Sequence, residues 1–302
     1  MPIIGTIASS RRVASGAIAG YFAGGITGGT NSSSIFKYAF TGEVVSTISA
    51  TLGTARYSRA GLSNYQVAGY MLNGYLAGLG NTNVSEKLTY ATEARSSLSN
   101  TTQHAEASAM TNSGTAGYQG GGWGGSSDVA TTLKYTYSND TEGTSTNIAV
   151  TGRVLWTYAN NKGGNGYYGY GTSGVNLMYR YVFSNETTSS TGQTFRNIST
   201  ANYPMGVSNE GVCAYAMNID GATTPLTIDK LPFSTETRSN VSATIAQNNV
   251  FGSVTNGANY GILSTTGTGS SKLNYTNDTL SSGSSFSAEK SAPFALTYSA
   301  TM

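Results

Sequence analysis

Residues 37–43 read Lys-Tyr-Ala-Phe-Thr-Gly-Glu, residues 180–186 read Arg-Tyr-Val-Phe-Ser-Asn-Glu, and residues 230–236 read Lys-Leu-Pro-Phe-Ser-Thr-Glu. The shared pattern is basic-x-x-aromatic-x-x-acidic. It occurs six times, as Lys37/Phe40/Glu43, Lys87/Tyr90/Glu93, Lys134/Tyr137/Asp140, Arg180/Phe183/Glu186, Lys230/Phe233/Glu236 and Lys272/Tyr275/Asp278. Successive basic residues lie 50, 47, 46, 50 and 42 positions apart. Charge is scarce here, with 16 Lys+Arg and 14 Asp+Glu in 302 residues. Six of each sit in this one pattern, so a true internal repeat is the better reading than coincidence of composition.

A second anchor precedes each copy: Gly20-Tyr21, Gly69-Tyr70, Gly117-Tyr118, Gly166-Tyr167, Ala214-Tyr215 and Asn259-Tyr260, spaced by 49, 48, 49, 48 and 45 residues. The repeating unit is therefore about 48 residues. Its segments, such as Arg153-Val-Leu-Trp-Thr-Tyr and Leu177-Met-Tyr-Arg-Tyr-Val-Phe, are short, β-branched or aromatic, and bounded by Gly, Ser, Thr and Asn. They read as strands between turns. No stretch sustains the 3.6-residue period of a helix. A unit of this length holds about four strands, which is a propeller blade; a β-solenoid coil is usually shorter and ranks second. The expectation is all-β: one domain over 1–302, a six-bladed β-propeller with units near 14–62, 63–110, 111–159, 160–207, 208–252 and 253–302. Residues 1–13 are expected to complete the last blade and close the ring. The repeated basic and acidic residues are expected to form ion pairs within a blade or between adjacent blades.

Composition excludes several functions. The chain has one Cys and one His, so it holds neither an internal disulfide nor a Cys/His zinc site. A formal net charge of +2 lacks the basic footprint of a nucleic-acid binder. No run of 18 apolar residues exists for a membrane helix. Arg11-Arg12 before the small apolar run Val13–Ile26 has the look of a targeting signal, but the same texture continues into the repeat and reads as mature structure. Disorder is disfavoured by 21 Tyr and 9 Phe at regular spacing. His104 stands in Thr-Gln-His-Ala-Glu without a nucleophile motif, and Cys213 reads as a small buried residue. No catalytic residue, metal site or cofactor is expected. Trp123 among glycines, and Tyr168 and Tyr170 in Gly-Tyr-Tyr-Gly-Tyr-Gly, are the aromatics best suited to stack on a sugar ring.

Gly20-Tyr-Phe-Ala-Gly-Gly25, with Phe40-Thr-Gly-Glu and Phe233-Ser-Thr-Glu-Thr, resembles Kelch-like β-propeller repeats of the kind found in bacteriophage virion and tail proteins. The oxidase site known in some Kelch enzymes needs two His ligands and a Tyr-Cys pair, which one His and one Cys cannot supply. The resemblance implies a non-enzymatic virion component, made in the host cytoplasm and associated with the tail or particle surface. Its implied partners are other virion proteins and a host-surface glycan, with homo-oligomerisation open and without nucleic-acid binding or membrane insertion. The alternative is a free or cell-surface carbohydrate-binding propeller.

Overall fold

The computed structural model describes residues 17–57, 61–64, 66–99, 108–111, 115–122, 126–127, 129–145, 159–161, 164–169, 177–194, 205–209, 211–218, 226–245, 250–256, 259–265, 267–288 and 294–299. Among them there is no helix. The chain is all-β, built from small antiparallel sheets.

Six sheets have four strands each. Sheet 2 contains Gly61–Asn64, Ala68–Met71, Ser85–Thr89 and Ala94–Leu98; sheet 3 contains Ser108–Thr111, Ala116–Gly120, Thr132–Thr136 and Thr141–Ser145. Sheet 4 contains Ala159–Asn161, Asn165–Gly169, Leu177–Val182 and Thr187–Thr194. Sheet 5 contains Met205–Asn209, Cys213–Asn218, Leu226–Pro232 and Ser239–Ile245; sheet 6 contains Val250–Asn256, Tyr260–Thr265, Ser270–Asn274 and Thr279–Ser282. Each is a simple up-and-down meander. Sheet 1 takes its first strand, Phe294–Ser299, from the far end of the chain; it pairs with Ala17–Ala23, followed by Ser34–Ala39 and Val44–Thr51. The expected role of residues 1–13 in completing the last blade lies outside the described residues. The strand the two chain ends share is in sheet 1, and the chain's C-terminal part supplies it.

The unit boundaries read from the repeat (62/63, 110/111, 159/160, 207/208 and 252/253) each fall inside the first strand of a sheet. The two anchors lie on the second strand and around the third, so they locate those strands and leave the first one unmarked.

Hydrophobic burial is divided among the junctions between sheets. One buried cluster joins sheets 1 and 2 through Tyr21, Ile35, Met71, Leu88 and Tyr90. Others join sheets 2 and 3, 3 and 4, 4 and 5, and 5 and 6. A sixth, with Phe22, Phe36, Phe40, Tyr260, Ile262 and Phe286, joins sheet 6 to sheet 1. Each second strand is therefore buried on both faces. It reads as a run of small and aromatic residues, without the alternation of a half-exposed strand.

The Gly-Tyr anchor follows from that double burial, because neighbouring residues point to opposite faces. A Cβ on Gly117 would sit 2.5 Å from Leu62 Cδ1 of sheet 2 and 2.5 Å from Tyr137 Oη. Gly69 meets Leu296 of sheet 1 and Tyr90 in the same way, and Gly261 meets Val207 of sheet 5 and Tyr275. Glycine makes room toward the preceding sheet, while the next residue fills the junction with the following one. The sixth unit's equivalent pair is thus Gly261-Ile262, with Ile262 opposite Lys272, whereas Tyr260 lies opposite Asn274. The spacing of 45 read from Tyr215 to Tyr260 becomes 47 to Ile262.

Candidate interaction surface

The two ends of the sheets differ. At one end lie the turns between third and fourth strands, four residues long in five sheets and six in the fifth. They carry the aromatic and acidic members of the repeat. All six acidic residues adopt left-handed backbone: Glu43, Glu93, Asp140, Glu186, Glu236 and Asp278, with φ between 49° and 56°. This conformation suits the close of a four-residue hairpin loop but costs about 1–2 kcal/mol for a residue bearing a Cβ. Glycine would adopt it without that cost and would lose the carboxylate.

The carboxylate reaches into the junction with the preceding sheet. Tyr118 Oη donates to Glu186 at 3.1 Å and Lys134 Nζ at 2.5 Å. Tyr21 and Lys37 meet Glu93 at 3.0 and 2.5 Å; Tyr70 and Lys87 meet Asp140 at 3.0 and 2.8 Å. Tyr167 and Arg180 both meet Glu236 at 2.9 Å; Tyr215 and Lys230 meet Asp278 at 2.6 and 2.8 Å. The two donors are directly opposite one another on second and third strands, which places them on one face of their sheet. The motif aromatic of the following unit stacks on the same Tyr: Tyr21–Tyr90, Tyr70–Tyr137, Tyr118–Phe183, Tyr167–Phe233 and Tyr215–Tyr275, with centroids 4.9–5.4 Å apart.

The sixth junction follows the same scheme with one change. Lys272 pairs with Glu43, joining sheet 6 to sheet 1. Tyr260, displaced by two residues, donates instead to the Phe40 carbonyl at 3.3 Å and meets Phe40 edge-on. Every basic residue of the repeat therefore pairs with the acidic residue of the next unit, and the pairs are between adjacent units. Lys134 and Asp140, in one motif copy, belong to different junctions.

Burial shapes the chemistry of this belt. Desolvation raises the Tyr118, Tyr70 and Tyr215 phenols well above their ordinary value, reinforced by the neighbouring carboxylates. Tyr181 is pushed up to about 12 by burial, partly offset by Ser145. For Glu186 burial acts upward, but hydrogen bonds from Lys134, Ser145 and Tyr118 outweigh it and hold the carboxyl below its usual range. Burial raises the Cys213 thiol, which is 1% exposed and lacks the character of a nucleophile.

The opposite end carries the connections between second and third strands, which run to 10 residues in sheet 1 and 13 in sheet 2. In the first two they form small hairpins, Ile26–Thr27 with Thr30–Asn31 and Gly74–Leu76 with Gly80–Thr82. The first closes on Gly28-Gly29, both at positive φ as a tight twisted hairpin requires. Segment 53–57 runs between the hairpins and ties them together. Tyr57 bridges Tyr75 by two backbone hydrogen bonds, Gly25 N–H donates to the Arg56 carbonyl, and Asn31 Nδ2 donates to the Tyr75 carbonyl at 3.2 Å.

Beneath them, Arg56 is fully buried and donates to Glu86 at 2.6 Å and to the carbonyls of Asn73 and Met71. Glu86, 1% exposed, also accepts from Arg95 at 2.6 Å and Gly53 N–H at 2.7 Å. Removing Glu86 would leave the buried Arg56 guanidinium uncompensated, at about 3–5 kcal/mol. The raised hairpins thus stand on a fixed base, with Leu79 at the tip 81% exposed. Sequence reading missed this network. Glu86 beside Lys87 and Arg95 nine residues later was its signal, and Asp229, Lys230 and Arg238 repeat it in sheet 5, where Arg238 donates to the buried Asp229 at 3.1 Å.

Trp123, Tyr170 and His104 lie outside the described residues. Tyr168 is 2% exposed and stacks on Tyr179 at 5.5 Å, so its ring faces protein and not a bound sugar. The eighteen repeat residues are gathered into the six junctions. Among the described residues no group of three or more His, Cys, Asp or Glu is placed to hold a metal ion. Nor, among the described residues, is any helix long and apolar enough to cross a membrane. A scan of protein-family models matches none to this chain, and a search of curated proteins finds no match.

Proposed function

We propose that the six sheets are blades of one closed propeller and that it serves as a non-enzymatic binding and assembly module of a bacteriophage particle, at the tail or particle surface. The observation that carries the propeller reading is the Lys272–Glu43 pair, which continues from sheet 6 to sheet 1 the linkage made at the other five junctions. It is supported by the first strands, each of which touches the first strand of the next sheet, with Phe294–Ser299 touching both Gly61–Asn64 and Val250–Asn256. The pairing of Phe294–Ser299 with Ala17–Ala23 acts in the same sense, since strand closure removes exposed sheet edges.

The binding role rests on the contrast between the ends. One is occupied by repeated structural contacts. The other carries, in sheets 1 and 2, hairpin connections of unequal length that stand on the buried Arg56–Glu86 base, and such raised connections are where binding residues concentrate on a scaffold. The virion context rests on the resemblance of the Gly-Tyr-Phe-Ala-Gly-Gly and Phe-Thr-Gly-Glu segments. Its partners are then other virion proteins and a host-surface glycan. Quantitative mass spectrometry of purified particles tests it: a fixed copy number per particle is expected, and absence from particles that contain the other structural proteins would overturn it.

A further inference from the structure

We propose that the cleft between sheets 5 and 6, at the end bearing the longer connections, is a binding site for a neutral sugar. The proposal rests on the binding-module reading and narrows it to a place and a ligand class. The cleft has a volume of about 450 Å³, within the range of small-ligand sites. It opens beside the connection between second and third strands of sheet 6, where Thr265, Gly269 and Ser270 line it.

Its lining is chemically one-sided. Seven of its eleven residues are Ser or Thr, two are Gly, and the remaining two, Ile245 and Leu280, supply apolar surface. None carries a charge, so an anion finds no counter-charge there, and a purely apolar ligand would strand the hydroxyls. Hydroxyl groups that both donate and accept, beside a small apolar patch, match a molecule with ring carbons and many hydroxyls.

The site is also built into the fold. Thr265 and Ser270 are 2% and 7% exposed, and Ile245 is 1% exposed. Ser270 Oγ donates to the Ser284 carbonyl at 2.8 Å, and Gly283 N–H donates to the Ser270 carbonyl at 2.9 Å, which fixes the rim against the floor. A Cβ at Gly283 would lie 2.3 Å from Ser270 Oγ, so glycine keeps that wall thin. Binding there needs no aromatic platform and none of the three aromatics selected from sequence.

The test is saturation-transfer NMR on the full chain with separate neutral hexoses, N-acetylhexosamines and disaccharides, and with inorganic phosphate by ³¹P line broadening. Exposed Thr244 and Ser282 line the cleft and tolerate bulk, so Thr244→Trp and Ser282→Trp fill it, while Thr187→Trp places the same bulk on the outer strand of sheet 4. At least one neutral sugar is expected to receive saturation, to weaken at least tenfold in both filling variants and to bind normally to Thr187→Trp. No saturation of any neutral sugar, saturation unaffected by the filling variants, or broadening of phosphate with no sugar response would each overturn the site. A chain present at fixed copy number in particles but silent toward every sugar would sink this inference and leave the virion assignment standing.

Discussion

Gly117→Ala isolates the packing logic of the repeat. Gly117 is an ordinary strand residue without positive φ, so on backbone entropy alone alanine should stabilise the chain by about 0.4–1 kcal/mol. The structure reverses that sign. The added methyl would lie 2.5 Å from both Leu62 Cδ1 and Tyr137 Oη, far inside van der Waals contact. Leu62 is held in the junction with sheet 2 and Tyr137 is stacked on Tyr70, so neither can move without loosening its neighbours. Overpacking of this kind costs about 1–3 kcal/mol, leaving a net loss of up to about 2.6 kcal/mol. At about 2–4 °C per kcal/mol, the melting midpoint should fall by up to about 10 °C. Differential scanning calorimetry reads this directly. Tyr137→Phe removes one of the two colliding atoms and should restore part of the loss in the Gly117→Ala background. The chain contains its own control: Ala214 occupies the glycine position in unit five, where the motif aromatic is Phe233. A Gly117→Ala variant that melts at or above the parent temperature would refute the argument.

Three further outcomes follow from the junctions. In a double-mutant cycle, Lys134→Ala and Glu186→Ala should couple by about 0.2–1 kcal/mol, because the pair is partly exposed, while Lys134→Ala and Asp140→Ala should be additive. Glu186, held below its ordinary carboxylate value, contributes stability that is present above about pH 4.5 and is lost as pH falls through its folded value; urea titrations of Glu186→Gln should show a shallower acid-side decline. The raised phenols contribute stability that is present below about pH 10 and lost as pH rises, so absorbance at 295 nm should show Tyr118, Tyr70 and Tyr215 ionising only together with unfolding.

Much of the fold was legible because each junction uses the same few residues. Lys37, Phe40 and Glu43 recur at near-constant spacing since one set of contacts is made six times. Partner choice was not legible. The repeat left the pair within a blade or between adjacent blades, and it is the left-handed turn that aims Glu43 at Lys272, 229 residues away. The Tyr anchor misled in unit six, where Tyr260 lies two positions from the register that Ile262 occupies. Tyr168 was selected as a platform for a sugar because it stands in the dense Gly-Tyr-Tyr-Gly-Tyr-Gly cluster; it lies on a strand between two packed sheets and is buried there. The buried Arg56–Glu86–Arg95 set escaped notice because its members come from the end of one unit and the middle of the next. The cleft is equally silent in sequence, being made by one connection and by what two different sheets leave uncovered.

The central claim is that each unit grips the next and that the sixth grips the first. Carbodiimide, which joins amines to carboxylates already in contact without adding a spacer, tests it on the monomeric fraction recovered by size exclusion. Peptide mapping should find Lys37–Glu93, Lys87–Asp140, Lys134–Glu186, Lys230–Asp278 and Lys272–Glu43, with no product at Arg180–Glu236 because a guanidinium does not couple. Crosslinks within single motifs, such as Lys37–Glu43 or Lys134–Asp140, or a Lys272–Glu43 product confined to covalent dimers, would contradict it.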